Sequence, residues 1–594
     1  MWALAATLFV ALAIVVTLPL IASTQIVRTR IAQELSDWSG YRVSLGAAPE
    51  IEVWPSFRTV LNDVSFWNRT EAGRPAVLQA DRVEVDLSVW SAVVGDIAFY
   101  KVMLIRPILR VAHQGDFLYL PSSPGGGRLH DALNALTTGS RPQDEAFGTI
   151  GFSEGKIVHA EGDVSQDILS SVAGTVAWPG MSRPAAVNAT GIWRGEPIAI
   201  ALFLEAPASL LAGASAPVNV SFQAAPLTLT FNGSAQLAER TRLNGALAWS
   251  SPSLRRTLEW SEAQITPGAA IGAVSVKGRL DGGMDRMKVE NAEISLGGNA
   301  GVGALEVTLA GAVPSISGTL AFDTLDIGSF LSAFAAPGTT DGTEPRMFDL
   351  SFSDQINLDL RLSAARATGG PASLTDIAAT AQVRRGLAAF DISDATAFGG
   401  SVQAGFRVDR KPEGDVGEMR ISATDVDVGA VAAAAGWKKS APKARGSLSA
   451  VVKSPVAAWS ALPMTISGTL NGKLGAGSID GIDLAALLRH DPGKGFLALS
   501  EISGGSIGFE RAEFKATLLG GAARLDIASA QTAKELLTLA GIVSYAGRSL
   551  ALSATVAPRA SGSNGTPDDL RHFFVGGSWN APYLTPSLPI WAPE

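Results

Sequence analysis

Gly504-Gly505-Ser506-Ile507-Gly508 fits the G-x-S-x-G pattern, in which a serine at a sharp strand-to-helix turn acts as a hydrolase nucleophile. Such chemistry needs a carboxylate and then a histidine further along. Asp526 or Asp568, followed by His572, supply those residue types in that order. The turn must also lead directly into a helix. The chain instead continues from Gly508 into Phe509–Leu518, whose alternation predicts a strand, so the glycines read as a hairpin turn and no catalytic serine is expected. Other chemistry has less to work with. The five histidines (His113, His130, His159, His490, His572) are scattered, without a second histidine at metal-binding spacing. The chain has no cysteine, which excludes disulfides, thiolate nucleophiles and cysteine–zinc sites. No G-x-x-x-x-G-K-[ST] loop or H-E-x-x-H helix occurs, and Gly475-x-Gly477 lacks the third glycine of a dinucleotide fingerprint. The sequence therefore predicts no enzyme, no metal and no cofactor. A net charge of −8 without a basic stripe argues against nucleic acid as a partner.

Three aspartates recur in one context. Gly318–Ile327, Arg420–Val428 and Gly477–Leu484 each read as a strand followed by apolar–Asp–apolar, with Asp326, Asp427 and Asp483 at the junction. Short apolar stretches come next, at Phe330–Phe334, Ala430–Ala435 and Ala485–Leu488. Aspartate at the start of a helix accepts a backbone N–H, so helix caps are expected here rather than ligands. Their irregular spacing makes them repeated supersecondary units, not a strict solenoid.

The elements around them are strands. In Arg82–Val89, Val83, Val85, Leu87 and Val89 alternate with Arg82, Glu84, Asp86 and Ser88. The same period of two sets Val218, Val220 and Phe222 against Asn219, Ser221 and Gln223. It sets Ile356, Leu358, Leu360 and Leu362 against Asn357, Asp359, Arg361 and Ser363, and marks Leu550, Leu552, Ala554 and Val556. Such alternation predicts sheets with one apolar and one polar face, and Gly, Asn, Asp or Pro between the runs supplies hairpin turns. Charged residues make up 17% of the chain, against about 25% in ordinary domains. The apolar set of 47% excludes 63 glycines, so apolar surface is in excess, either deeply buried or lining a groove.

Helices are few. Ile26–Trp38 is amphipathic, with Val27, Ile31, Leu35 and Trp38 on one face and Gly40 as a stop. Ser122–Ala146 reads as an inserted loop with a short helical stretch near Leu129–Leu136, and Gly436–Gly446 and Ala560–Asp569 read as linkers. At the front, Met1–Val27 carries no charge, and Met1–Ala22 is long enough to cross a bilayer of about 30 Å. An uncleaved signal anchor fits better than a cleaved signal peptide, because no Lys or Arg precedes Arg28 and Leu20-Ile21-Ala22 matches the small-x-small cleavage pattern poorly. Arg28 and Arg30 alone would keep the side after the span cytoplasmic, but a large body translocates regardless of such charges.

The segment Gln25–Leu120 resembles the amino-terminal region of the AsmA family of bacterial inner-membrane-anchored proteins. The match runs through Trp38-Ser39-Gly40-Tyr41, Ile51–Pro55, Leu61–Ser65, Ala80–Val85, Gly95–Ile97 and Leu104–Leu109. Gly477–Leu488, Ile507–Ala512 and Phe573–Pro582 resemble the family's terminal domain. The chain departs from the family pattern near Gln114–Tyr119 and in Ser122–Ala146. The resemblance implies an all-β body behind a transmembrane helix: a long, curved, mostly antiparallel sheet, taco-shaped like that of chorein-type bridge proteins. It implies an anchor at 1–24, an amino-terminal β region at 25–121, an insert at 122–146, groove repeats at 147–436, a linker at 437–446 and a terminal β domain at 447–594. It further implies a periplasmic body whose groove conducts phospholipid between inner and outer membrane. About 30 strands at ~4.8 Å each would extend ~140 Å if continuous. Groove-lining candidates are then Val83, Val85, Leu87, Val218, Val220, Phe222, Ile356, Leu358, Leu360, Leu362, Leu550 and Leu552. Partners would be phospholipid acyl chains, the inner membrane, and the outer membrane or a protein in it. A non-transporting factor for outer-membrane protein assembly or envelope organisation is the alternative; it would keep the apolar face closed.

Overall fold

The computed structural model describes residues 25–52, 58–69, 75–86, 101–114, 117–119, 127, 131, 135, 148–161, 164–238, 241–262, 272–334, 338–340, 343–346, 351–412, 414–437, 441–455, 461–489, 495–559 and 570–587. Among the described residues strand accounts for 67% and helix for 12%, and the pairing is mostly antiparallel. Among the described residues no helix is long and apolar enough to cross a membrane; Met1–Ala22 lies outside them. The chain divides into two compact units, Met1–Pro252 with Ser275–Glu290, and Ser253–Val274 with Asn291–Glu594.

In the first unit, helix α1 (Gln25–Ser39) ends where the Gly40 N–H donates to the Ser36 carbonyl and Gly40 turns to φ 78°. Only glycine takes this left-handed stop without strain. Ile31, Ala32 and Leu35 pack on a core of Val43, Leu45, Leu61, Val64, Ala80, Val83 and Val85 from the strands Arg42–Leu45, Arg58–Trp67 and Leu78–Asp86. The strand Lys101–Ile105 joins Leu78–Asp86 antiparallel and Gly148–Glu161 parallel. From there a meander runs through Val164–Trp178, Ala185–Trp193, Glu196–Leu204, Ser215–Ala224, Leu227–Gln236 and Arg242–Ser251, each antiparallel to the next. One of its two-residue turns is Arg194-Gly195, with φ 48° and 80° between the paired Trp193 and Glu196. Two positive φ values in a two-residue loop match the right-handed twist of the flanking strands. Helix α2 (Pro207–Leu211) caps one end of the meander, with Leu210 against Ala216, Val218 and Ala235. Of 122–146 only Gly127, Asp131 and Ala135 are described, the last two helical, inside the stretch where a short helix is expected.

The second unit is a ladder of fifteen strands from Asn299–Thr308 to Ala581–Pro586, antiparallel except where Ser315–Asp326 pairs parallel with Asn357–Gly369. Of the linker expected at 437–446, residues 438–440 lie outside the described residues and 442–446 belong to a strand. Pro442–Pro455 is a strand paired on both sides, and the division into units falls between 252 and 291 instead. Lys443 and Arg445, read as linker charges, are outward-facing strand residues that pair with Asp480 at 2.5 Å and Asp425 at 2.8 Å. A charged outer strand face mimics a solvated linker when the small inward residues Gly446 and Ala450 weaken the alternation.

All three aspartates cap helices. Asp326 Oδ1 accepts the Ser329 N–H at 3.0 Å ahead of α3 (Ile327–Phe334). Asp427 Oδ1 accepts that of Ala430 at 3.1 Å ahead of α4 (Val428–Ala434), and Asp483 Oδ1 that of Ala486 at 2.9 Å ahead of α5 (Leu484–Leu488). The pairings through the ladder make Ser315–Asp326, Val416–Asp427 and Ser467–Asp480 run the same way, so the three helices leave the sheet along one edge. Alanine at Asp427 or Asp483 is expected to cost about 0.5–2 kcal/mol and asparagine much less. Urea unfolding checks this, with hydrogen exchange in 428–434 or 484–488 locating the loss.

Candidate functional site

In-register pairing fixes which side chains share a face, and the second unit carries that alignment from end to end. From Gly303 the register passes to Leu320, Leu362, Ala379, Ile392, Ala404, Ile421, Ala450, Leu470, Ala516, Leu525, Gly541, Leu552, Val575 and Leu584. The next row on the same face runs from Leu305 through Gly318, Leu360, Ala381, Phe390, Phe406, Met419, Val452, Gly468, Leu518, Ala523, Val543, Leu550 and Gly577 to Pro582. Thirty positions on fifteen strands carry no polar side chain. At about 4.8 Å per strand they make an apolar band roughly 67 Å long within this unit.

The first unit repeats the arrangement. Val85, Val102, Ile150, Val176, Val187, Leu202, Val220, Phe231 and Leu247 form one row, and Val83, Leu104, Phe152, Gly174, Ala189, Ile200, Phe222, Leu229 and Trp249 the next. Behind them lie Thr175, Asn188, Ala201, Ser221 and Thr230, which line shallow depressions of about 400 Å³ on the opposite face. The six strands from Val164–Trp178 to Arg242–Ser251 carry only Asp167, Glu196 and Arg242 as charges. In the second unit the opposite face holds ion pairs, among them Lys453–Glu418 at 3.2 Å, Arg407–Asp409 at 3.0 Å and Arg524–Asp526 at 3.0 Å.

Coverage of the apolar band varies. Val83 and Val85 are buried in the cluster on which α1 packs. Leu358, Leu360 and Leu362 are 7%, 4% and 4% exposed, in the stretch where Phe330 of α3, itself 0% exposed, meets Phe322 and Phe390. Val218 packs beneath α2. Between these, Val220, Phe222, Ala404, Ile421, Ala450, Val452, Leu470 and Leu550 are only half-buried, and Leu552 is buried. The strand Pro442–Pro455 has no buried residue; its side chains alternate between half-buried and exposed along its whole length. Met419 is 42% exposed beside it. Ile356 is half-buried just before its strand begins, and Leu87 lies outside the described residues.

The alternation read in sequence thus finds the right face but only part of the band. Ala404, Ala450, Ala516 and the row glycines escape it because small residues do not announce an apolar face. The run Gly446, Leu448, Ala450, Val452 against Ser447, Ser449 and Lys453, with Val451 as an apolar exception, is the signal that would have found the strand Pro442–Pro455.

The polar candidates do not assemble. Ser506 opens the strand Ser506–Phe509, with Arg511–Leu519 after it, and its hydroxyl donates to Asp480 Oδ1 at 2.9 Å. Lys443 and then that hydroxyl hold the exposed Asp480 carboxyl below its usual range. His572 Nδ1 lies 3.1 Å from Thr555 Oγ1. Asp526 accepts from Thr517 and Arg524, which lower its pKa, the Thr517 hydrogen bond most. Asp568 lies outside the described residues. Among the described residues no His, Asp or Glu cluster suits a metal. Comparisons with protein-family models, curated proteins and solved structures return no match.

Because no titratable group lies in the rows, ligand occupancy of the band is expected to stay flat from about pH 5 to 8, where a histidine would titrate. Asp425 and Asp480 fall outside this window. Their folded pKa values are depressed, so their stabilising pairs are intact above the ordinary carboxylate range and lost only as pH falls through the depressed values. Fluorescent fatty-acid binding across the range checks this, and a bell-shaped profile would point back to the polar groups.

Proposed function

We propose that the protein holds and conducts phospholipid acyl chains along its apolar sheet face, as an inner-membrane-anchored periplasmic protein of the AsmA type that supplies the outer membrane. The observation that carries the reading is the pair of unbroken apolar rows across fifteen strands, with Ala404, Ile421, Ala450, Val452, Leu470 and Leu550 among their half-buried members. A solvent-facing sheet does not need thirty apolar positions in register, and a closed core would bury all of them. Holding each CH₂ against such a surface is worth about 0.8 kcal/mol, and a continuous surface lets a chain slide without desorbing. The AsmA-like segments at both ends of the chain and the uncharged Met1–Ala22 as anchor fit this role. No residue with catalytic duty is needed.

The assembly-factor alternative draws on the closed clusters under α1 and α3, which resemble ordinary cores. The two readings part at the open strands. A photoreactive residue at Ile421, Ala450 or Leu470 should crosslink phospholipid in cells, while Ser449 and Asn471 on the opposite face should not. Equal labelling of both faces, or none, removes the conduit.

Ala450→Asp with Leu470→Asp places two carboxylates where each costs a passing chain several kcal/mol, so lipid delivery should stop while the fold survives. Charges at Leu358 and Leu360 would instead unfold the packing beneath α3. A folded A450D/L470D protein that fully restores envelope integrity in a deletion strain would favour the assembly factor. Topology is tested separately: a periplasm-dependent reporter after Glu594 should be active, with Met1–Ala22 retained in the mature protein.

A further inference from the structure

Gly472 stands in the interior of the strand Ser467–Asp480, where glycine weakens a sheet, yet its φ is not positive and no turn requires it. Its neighbour explains it. A Cβ built on Gly472 would lie 2.1 Å from Phe514 Cε1, 2.6 Å from Cζ and 2.8 Å from Cδ1, so the Phe514 ring lies flat across the Gly472 backbone. The two residues are cross-strand partners, and Leu448 continues their row on the other side. This row borders the band on its helix side. Phe514 packs against the cluster of Val428 of α4, Leu474 and Phe509 and remains only half-buried. Gly301 and Phe322 form a second such pair, at 2.6 Å, but Phe322 is 4% exposed and meets Phe330 of α3. Of the two rings, only Phe514 is half-buried, at the margin of the cluster that Val428 of α4 joins.

We infer that the Gly472–Phe514 pair is an acyl-chain contact site: the flattened ring is a platform on which a saturated or monounsaturated chain lies, and glycine at 472 keeps that platform below the chain's path. The inference rests on the conduit function and adds to it the residue that sets clearance at this point. Any side chain at 472 meets the ring before it meets backbone, so the ring must tip up and away from the sheet. A tipped ring stands in the volume the chain would occupy, next to Leu470 and Ala516 of the neighbouring row.

The test uses the full-length protein in vesicles of phosphatidylethanolamine and phosphatidylglycerol, with a photoreactive residue at Leu470, Ala516 or the remote Ala404. Gly472→Ala should cut lipid labelling at 470 and 516 by about fivefold or more, equivalent to ~1 kcal/mol, and leave Ala404 unchanged. Adding Phe514→Ala should restore labelling at 470 and 516, which a misfolded sheet would not do. An azidophenylalanine at 514, with Gly472 intact, should itself crosslink lipid. Unchanged labelling in folded G472A, or a silent azide at 514, overturns the inference and leaves the conduit standing. No labelling at Ala404 in the otherwise unaltered protein overturns the conduit, and the inference with it.

Discussion

Cross-strand register is the constraint on which everything else in this protein depends. Side chains alternate with a period of two, so a slip of one residue in most of the fifteen ladder strands would put a polar residue into the apolar band. The strands do contain irregularities, but they are placed to spare the rows. Breaks in register fall at Thr375/Ala378, Ile392/Thr396, Ala423/Val426, Ala444/Gly446, Lys515/Ala516 and Leu525/Ser529. Each lies on the side of the band from which α3, α4 and α5 emerge. A bulge bends and twists its strand locally, so the helix-bearing margin is irregular while the two rows beside it stay aligned.

The bulges also account for residues that look out of place in a strand. Asp376 and Asp425 have φ of 55° and 53°, the left-handed conformation that aspartate tolerates better than most side chains. At Asp425 the bulge turns the carboxylate outward to Arg445, which also donates to the Gly399 carbonyl at 2.9 Å. One extra residue thereby resets the strand, ties three chain segments together on the outer face and leaves Ala423 pointing into the apolar side. Asp427, two residues on, caps α4. The short segment from Asp425 to Asp427 converts a strand into a helix at the sheet margin.

This explains what was legible in the sequence and what was not. The aspartate junctions, the stop at Gly40 and the strands around Val218, Leu358 and Leu552 are local features, decided by capping geometry and period-two alternation, and each is found where expected. Coverage is not local. Val83 alternates as cleanly as Val220, yet the first is buried beneath α1 and the second, at the margin of the cluster under α2, is only half-buried. Which helix lies on which strand is a tertiary property, so alternation alone does not separate core from open band. The strand at 442–455 fails for a different reason: its Gly446 and Ala450 are small, and its Lys443 and Arg445 resemble a solvated linker until the ladder places them on one face.

Small residues also shape the band. A wall of leucine and phenylalanine throughout would interdigitate with whatever faced it and close as a core does, because interiors pack to the density of organic crystals. Here several large residues have small neighbours across the ladder: Ile392 beside Ala404, Ile421 beside Ala450, Leu470 beside Ala516, Leu525 beside Gly541. Such a surface is apolar but low in relief. On the conduit reading, it would offer contact to a flexible hydrocarbon chain along its length without a pocket that would hold it at one place. The same composition weakens the sheet, since alanine and glycine are poor strand residues. The outer-face ion pairs contribute little to offset this, because exposed pairs are worth at most about 1 kcal/mol each. The stability comes instead from the closed clusters under α1, α2 and α3 and around Leu487, Leu497 and Phe573, which anchor the open strands between them. Closed cores and open band are therefore complementary parts of one design: the first holds the register that the second requires.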